Sequence, residues 1–181
     1  MSLTYTNYFN SNYKRQIKQL YIKCFPKNER FPFWILKRCS KKNNIFFYAV
    51  SDNDELIGMV YIINCSEFIY LMYLAVDENK RGNGYGTEIL KDLKKKYETI
   101  ILSIEGQDKE EQNEKKKKRK EFYLKNGFYE TNNFIEDNGV KYEVLCTNKN
   151  YHITTEKLKQ RYIQMTESNI MKKIIRKIFN Y

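Results

Sequence analysis

Apolar and polar positions along this chain alternate with two different periods, and the places where the period changes mark out its elements. The clearest run is Phe68 to Val76, nine residues rich in aromatic and branched side chains and too short for a free-standing helix, which predicts a buried strand. Asp77, Glu78, Asn79 and Lys80 break the run. Tyr85, Ile89, Leu93 and Tyr97 then recur every fourth residue, predicting a helix that starts near Gly84 to Gly86. Upstream, Leu3 to Phe9 reads as a first strand. Ile17, Leu20, Tyr21 and Cys24 share a helical face, with Asn10 or Ser11 as cap and Pro26 as stop. Pro26 to Trp34 is a loop by its two prolines, and Phe33 to Lys41 a second, short helix. Ile45 to Ser51 and Glu55 to Asn64 form a hairpin about Asp52-Asn53-Asp54. After the glycine-opened helix come a strand at Thr99 to Glu105, a charged helix at Gln112 to Lys125, and two closing strands, Phe128 to Ile135 and Val140 to Thr147, turning at Glu136 to Gly139. Thr154 to Tyr181 reads as a helical tail with Leu158, Tyr162, Met165, Ile170, Ile174 and Ile178 broadly on one side. The order of elements is α+β, or α/β-type layered, around one main sheet.

Composition narrows the picture only a little. A chain of 181 residues, 41% hydrophobic and 15% aromatic, suffices for one compact domain. The formal charge of +11 points to an acidic partner such as nucleic acid, an anionic membrane or an anionic cofactor, while the lysine-rich, Asn-, Ile- and Tyr-rich usage fits an AT-rich genome equally well. No nucleic-acid module signature is present, which counts against that partner. The run Lys115 to Lys120 reads chiefly as a solvated helix face, with Arg119, one turn before Tyr123, as the cation to watch. Cys24, Cys39, Cys65 and Cys146 show neither metal-ligand nor disulfide spacing, so no metal is expected, and His152, the sole histidine, reads as a bystander. No signal-like segment or membrane-length apolar run is seen, and a cytoplasmic protein is expected.

The chemistry concentrates after Val76. Gly82, Gly84 and Gly86 lie where the chain turns into a helix, where bare backbone N–H groups and the helix dipole favour an anion, and Arg81 adds a full charge. A pyrophosphate suits such a cradle. The spacing Arg81-x-x-Gly84-x-Gly86 after Leu74-Ala75-Val76 resembles the acetyl-CoA signature of the GNAT acetyltransferase superfamily. A second, independent match is Tyr123-Leu124-Lys125-Asn126-Gly127-Phe128, similar to the family segment in which a tyrosine precedes a Gly-Phe pair.

This resemblance, covering roughly residues 3 to 148, implies a GNAT fold with a single central mixed, mostly antiparallel sheet flanked by helices. It places a catalytic domain at 1–150 and an additional C-terminal amphipathic helix at 151–181. It implies transfer of an acetyl group from acetyl-CoA, as co-substrate, to an amine of a small molecule or protein by direct attack in a ternary complex. The pyrophosphate then falls to the backbone of Gly82, Gly84, Tyr85, Gly86 and Thr87 with Arg81, and the pantetheine arm to the strand edge at Leu74, Ala75 and Val76. Tyr123 aligns with the tyrosine that protonates the leaving thiolate. Glu105, ending the next strand, is the favoured base, with Glu67 and Glu29 as competitors. Glu29, Phe33, Trp34 and Glu67 are candidates for acceptor contact; for Trp34 the competing expectation is a place in the core. One departure stands out: Lys116 occupies the position, seven before Tyr123, where many relatives carry an asparagine that holds the pantetheine arm. A dinucleotide-binding turn fits poorly, because Thr87 replaces the third glycine and polar residues separate strand from glycines. The rival class is a non-catalytic CoA sensor or a basic nucleic-acid binder on the same fold. The tail is expected to pack on its own domain or on a second copy as a homodimer, or else to present a basic amphipathic surface.

Overall fold

The computed structural model describes residues 1–106, 114–137 and 139–165. Its strands are β1 (Thr4–Asn7), β2 (Ile45–Asp52), β3 (Glu55–Asn64), β4 (Ile69–Val76), β5 (Ile100–Glu105), β6 (Tyr129–Asp137) and β7 (Val140–Cys146). They form one sheet in the order β1-β2-β3-β4-β5-β7-β6, antiparallel throughout except where β4 lies parallel to β5. The helices are α1 (Lys14–Cys24), α2 (Phe33–Cys39), α3 (Tyr85–Lys96), α4 (Glu114–Lys125) and α5 (Thr155–Met165). This is the mixed, mostly antiparallel α+β layering expected from the pattern. One local expectation is corrected: Ser11 does not cap α1. Its Oγ accepts the Tyr13 N–H at 3.0 Å, and the helix starts after Tyr13 with no side-chain cap.

The sheet separates two apolar layers. On one face, α1 (Ile17, Tyr21), α2 (Ile35, Leu36) and α5 (Leu158, Tyr162) pack on Phe47, Tyr61 and Tyr73. On the other, α3 (Ile89, Leu90, Leu93) packs on Val60, Ile62, Leu71 and Leu145, with Phe122 and Tyr123 of α4 leaning on the same layer. β4 is buried on both sides because its residues feed both layers, Ile69 and Leu71 one and Tyr70, Tyr73 and Ala75 the other. The alternation slips at Met72, where Tyr61 pairs with Tyr73 but Ile62 pairs with Leu71, a bulge that adds twist to the strand.

This twist bears on function. β4 stays in register with β3 as far as Val76, but with β5 only at Ile69↔Ile100 and Tyr70↔Ile101. β5 meanwhile follows β7 as far as Glu105↔Tyr142. The two parallel strands therefore part after Tyr70, leaving the edge of β4 from Leu71 to Val76 facing a wedge-shaped gap.

α5 belongs to the domain core. Its Arg161 is 3% exposed, with Nη2 3.0 Å from Asp137 Oδ2, while the Tyr162 hydroxyl donates to the same carboxylate and the guanidinium lies 5.2 Å from the Tyr70 ring centroid. A buried cation is tolerable only when so matched. Of the tail residues expected on one face, Leu158, Tyr162 and Met165 are buried, whereas Ile170, Ile174 and Ile178 lie outside the described residues.

Candidate active site

The glycine turn follows β4 after one 3-10 turn, Glu78–Lys80, and Arg81. Gly82 and Gly84 both sit at φ +80°, a left-handed conformation that side chains with a Cβ resist. The first bond within α3 is donated by Glu88 to the Gly84 carbonyl at 3.0 Å, so the N–H groups of Tyr85, Gly86 and Thr87 have no partner inside the helix. Gly86 is needed for a different reason: a Cβ there would come within 2.9 Å of Phe122 Cζ, so its absence lets α4 close on α3. Tyr85 turns its hydroxyl away to Asp52 Oδ2 at 3.2 Å, and Thr87 is exposed. Arg81 folds back, Nε on the Val76 carbonyl at 3.1 Å and Nη2 on Cys24 Sγ at 3.3 Å, clasping the end of β4.

α4 presents Tyr123 to the same region, and its termination fixes how. The Phe128 N–H bonds the Tyr123 carbonyl at 3.1 Å, the Gly127 N–H bonds the Leu124 carbonyl at 3.0 Å, and Gly127 takes φ +81°. This is a Schellman stop, completed by the contact of the Phe128 ring with Tyr123, centroids 5.5 Å apart. Burial pushes the Tyr123 hydroxyl up to about 12, with Arg119 pulling the other way. Its hydroxyl has no hydrogen bond among the described residues, which leaves it free to meet a ligand.

Across the gap, Glu105 ends β5 with Oε1 2.9 Å from the buried Lys116 ammonium. The residue that departs from the family pattern is thus tied to the favoured base, and its position on α4 is filled by an ion pair. The basic run is also less solvated than expected: Lys120 reaches Glu143 at 2.9 Å and pairs with Glu130. Glu29 faces the same space. Burial, then Glu105, raise its carboxyl above the usual range, while Arg119 and Lys116 oppose them. Its loop is laced to β4, because the Tyr73 hydroxyl accepts the Phe31 N–H at 3.2 Å and donates to the Glu29 carbonyl at 3.4 Å. Tyr142, opposite Glu105 in register and pushed upward chiefly by burial, joins this group; sequence reasoning missed it, and only the strand register reveals it.

The structure does not bring every candidate together. Glu67 lies beyond the other end of β4, held by the Tyr151 hydroxyl at 2.9 Å and Lys157 at 2.8 Å. Phe33 packs among Tyr8, Tyr21 and Phe47. Trp34 is 53% exposed, so the expectation of a core position is overturned: Ile35 and Leu36 take the inward face of α2.

A strand that leaves its parallel neighbour, a glycine turn at its end and a tyrosine-bearing helix beside it match a known domain. Residues 42–130 match the family model for the acetyltransferase (GNAT) domain. The chain carries a GNAT acetyltransferase domain. Solved structures share its fold. A putative GNAT-family acetyltransferase from Bacteroides thetaiotaomicron aligns over 100% of this chain and 99% of its own, at 19% identity and TM-score 0.71. An aminoglycoside 6'-N-acetyltransferase complexed with coenzyme A covers 85% of this chain and 100% of its own, at 19% identity and TM-score 0.65. The ribosomal-protein-S18-alanine N-acetyltransferase from Escherichia coli covers 84% and 99%, at 13% identity and TM-score 0.61. No curated protein matches the sequence. The GNAT family model sets the enzyme class as an acetyltransferase, with a site whose parts suit coenzyme A: a free strand edge for amide groups and a bare helix terminus for phosphates. Among the described residues no helix is long and apolar enough to cross a membrane.

Proposed function

We propose that this chain moves an acetyl group from acetyl-CoA to a primary amine by direct attack in a ternary complex. The observation that carries the reading is the parting of β4 from β5 after Tyr70, on a strand that leads through one 3-10 turn into the glycine turn. Leu74, Ala75 and Val76 supply backbone groups for the pantetheine amides, and the N–H groups of Gly82 and Gly84 to Thr87 bind the pyrophosphate. Arg81 contributes by holding the end of β4, its charge still near the phosphates.

In the transfer the amine nitrogen bonds to the acyl carbon and the carbon–sulfur bond breaks. The proton leaving nitrogen passes to the Glu105 or Glu29 carboxylate, directly or through water, and the departing thiolate meets the Tyr123 hydroxyl. With its pKa near 12, that phenol stays protonated at every physiological pH and acts first as a hydrogen-bond donor to the thiolate. The Glu29 loop borders the acceptor side, whereas Phe33, packed among Tyr8, Tyr21 and Phe47, and Glu67 have no part in it. Steady-state thiol release over a panel of amines tests the reading: turnover with any of them, lost when the cradle is blocked, supports it, and acetyl-CoA binding without turnover would favour a CoA sensor.

A further inference from the structure

The chain's positive charge is segregated to an unusual degree. Residues 14–42 carry ten lysines and arginines against a single carboxylate, Glu29, while the rest carries 23 basic and 21 acidic residues, so +9 of the net +11 sits in this one segment. An AT-rich genome accounts for lysine use but not for the exclusion of acids from one place. The segment comprises α1, the following loop and α2, and between them lies a cleft of about 680 Å³. Its rim carries Lys18, Lys27, Arg30 and Lys37, and its walls carry Trp34 and Ile22, which are 53% and 45% exposed. No ion pair occupies these four cations among the described residues, and Arg30 bonds only the neutral carbonyls of Ile22 and Phe25.

We propose that this cleft binds single-stranded nucleic acid, with a base stacked on Trp34 and backbone phosphates met by Lys18, Lys27, Arg30 and Lys37. An exposed indole flanked by unpaired cations has the chemistry of a stacking platform. The concave shape fits a chain rather than the flat surface of a bilayer. The same loop also carries Glu29, which faces Glu105 and whose carbonyl meets the Tyr73 hydroxyl of β4, so a strand held here lies beside the acetyl-transfer site, on the acceptor side. The proposal concerns binding and is independent of the transferase reading.

Trp34 is the only tryptophan and therefore reports on its own cleft. The full chain, without CoA, is titrated with oligoadenylate of ~12 nucleotides while its fluorescence is followed. Saturable quenching is expected, and raising salt from ~50 to ~200 mM should weaken binding about 50-fold if four phosphates are neutralised. Measured by anisotropy of a labelled oligonucleotide, Trp34→Leu should weaken binding about tenfold, the worth of one stacked base, and Lys18→Glu with Lys37→Glu should abolish the salt-sensitive part. These side chains are exposed, so circular dichroism should be unchanged in each variant. No quenching, Trp34→Leu binding as tightly as the parent, or a fluorescence blue shift with phosphatidylglycerol vesicles but no response to the oligonucleotide would each overturn the proposal.

Discussion

Tyr123 shows how one residue carries two constraints. Its spacing to Gly127-Phe128 is that of a Schellman stop, so the motif fixes where α4 ends, and this in turn fixes where the phenol points. The motif was legible as a family resemblance rather than as a helix stop, and the raised pKa was not legible, because burial by Phe122 and Phe128 is a tertiary fact. Tyr123→Phe should lower kcat roughly 10²-fold, the lower end for a general acid, with KM for acetyl-CoA little changed; an unchanged kcat in stopped thiol-release assays would remove the residue from the reaction. Glu29 makes a separate prediction. Its carboxyl binds a proton more tightly when folded, so the folded state is favoured below the ordinary carboxylate range, and that advantage is lost as pH rises through the raised value. Glu29→Gln should therefore gain stability relative to the parent as pH increases across that window, measured by urea unfolding at a series of pH values. A pH-independent difference would show that Glu29 is not so perturbed. The Glu105–Lys116 pair could not be read from the sequence, since nothing local says that a lysine on a charged helix will turn inward.

At the scale of elements, the sequence was most informative where backbone rules bind tightest. Glycines at positive φ, a four-residue apolar repeat and the Asp52-Asn53-Asp54 hairpin each left a direct trace. The wedge left none, because parting strands are a property of pairing, and β4 reads the same whether β5 follows it or not. Gly86 was legible as part of the cradle, yet its tightest constraint comes from α4. Gly86→Ala should cost about 1–3 kcal/mol through overpacking against Phe122 and should weaken acetyl-CoA binding as α4 shifts. Pairing it with Phe122→Leu should restore part of the stability, as seen in denaturant midpoints; a neutral Gly86→Ala would show that α3 and α4 are not closely locked.

For the whole molecule, the boundary expected at residue 150 precedes a helix, α5, whose Leu158, Tyr162 and Met165 are part of the same core as the sheet. The amphipathic pattern of the tail indicated a packed face, but not that Arg161 would be buried on Asp137. Arg161→Met leaves a buried carboxylate without its cation and should cost about 3–5 kcal/mol in an unfolding titration, whereas a surface helix would tolerate it. Sequence charge fitted an acidic partner and an AT-rich genome equally well and gave no direction; the fold gathers the surplus around α1 and α2. The central claim, that the gap between β4 and β5 and its glycine turn form a coenzyme A site, is tested most directly by calorimetric titration with acetyl-CoA of the parent chain and of Gly84→Glu, with circular dichroism confirming the variant's fold. One-to-one binding by the parent and none by a folded Gly84→Glu is the predicted result; no binding by the parent, or equal binding by both, would contradict it.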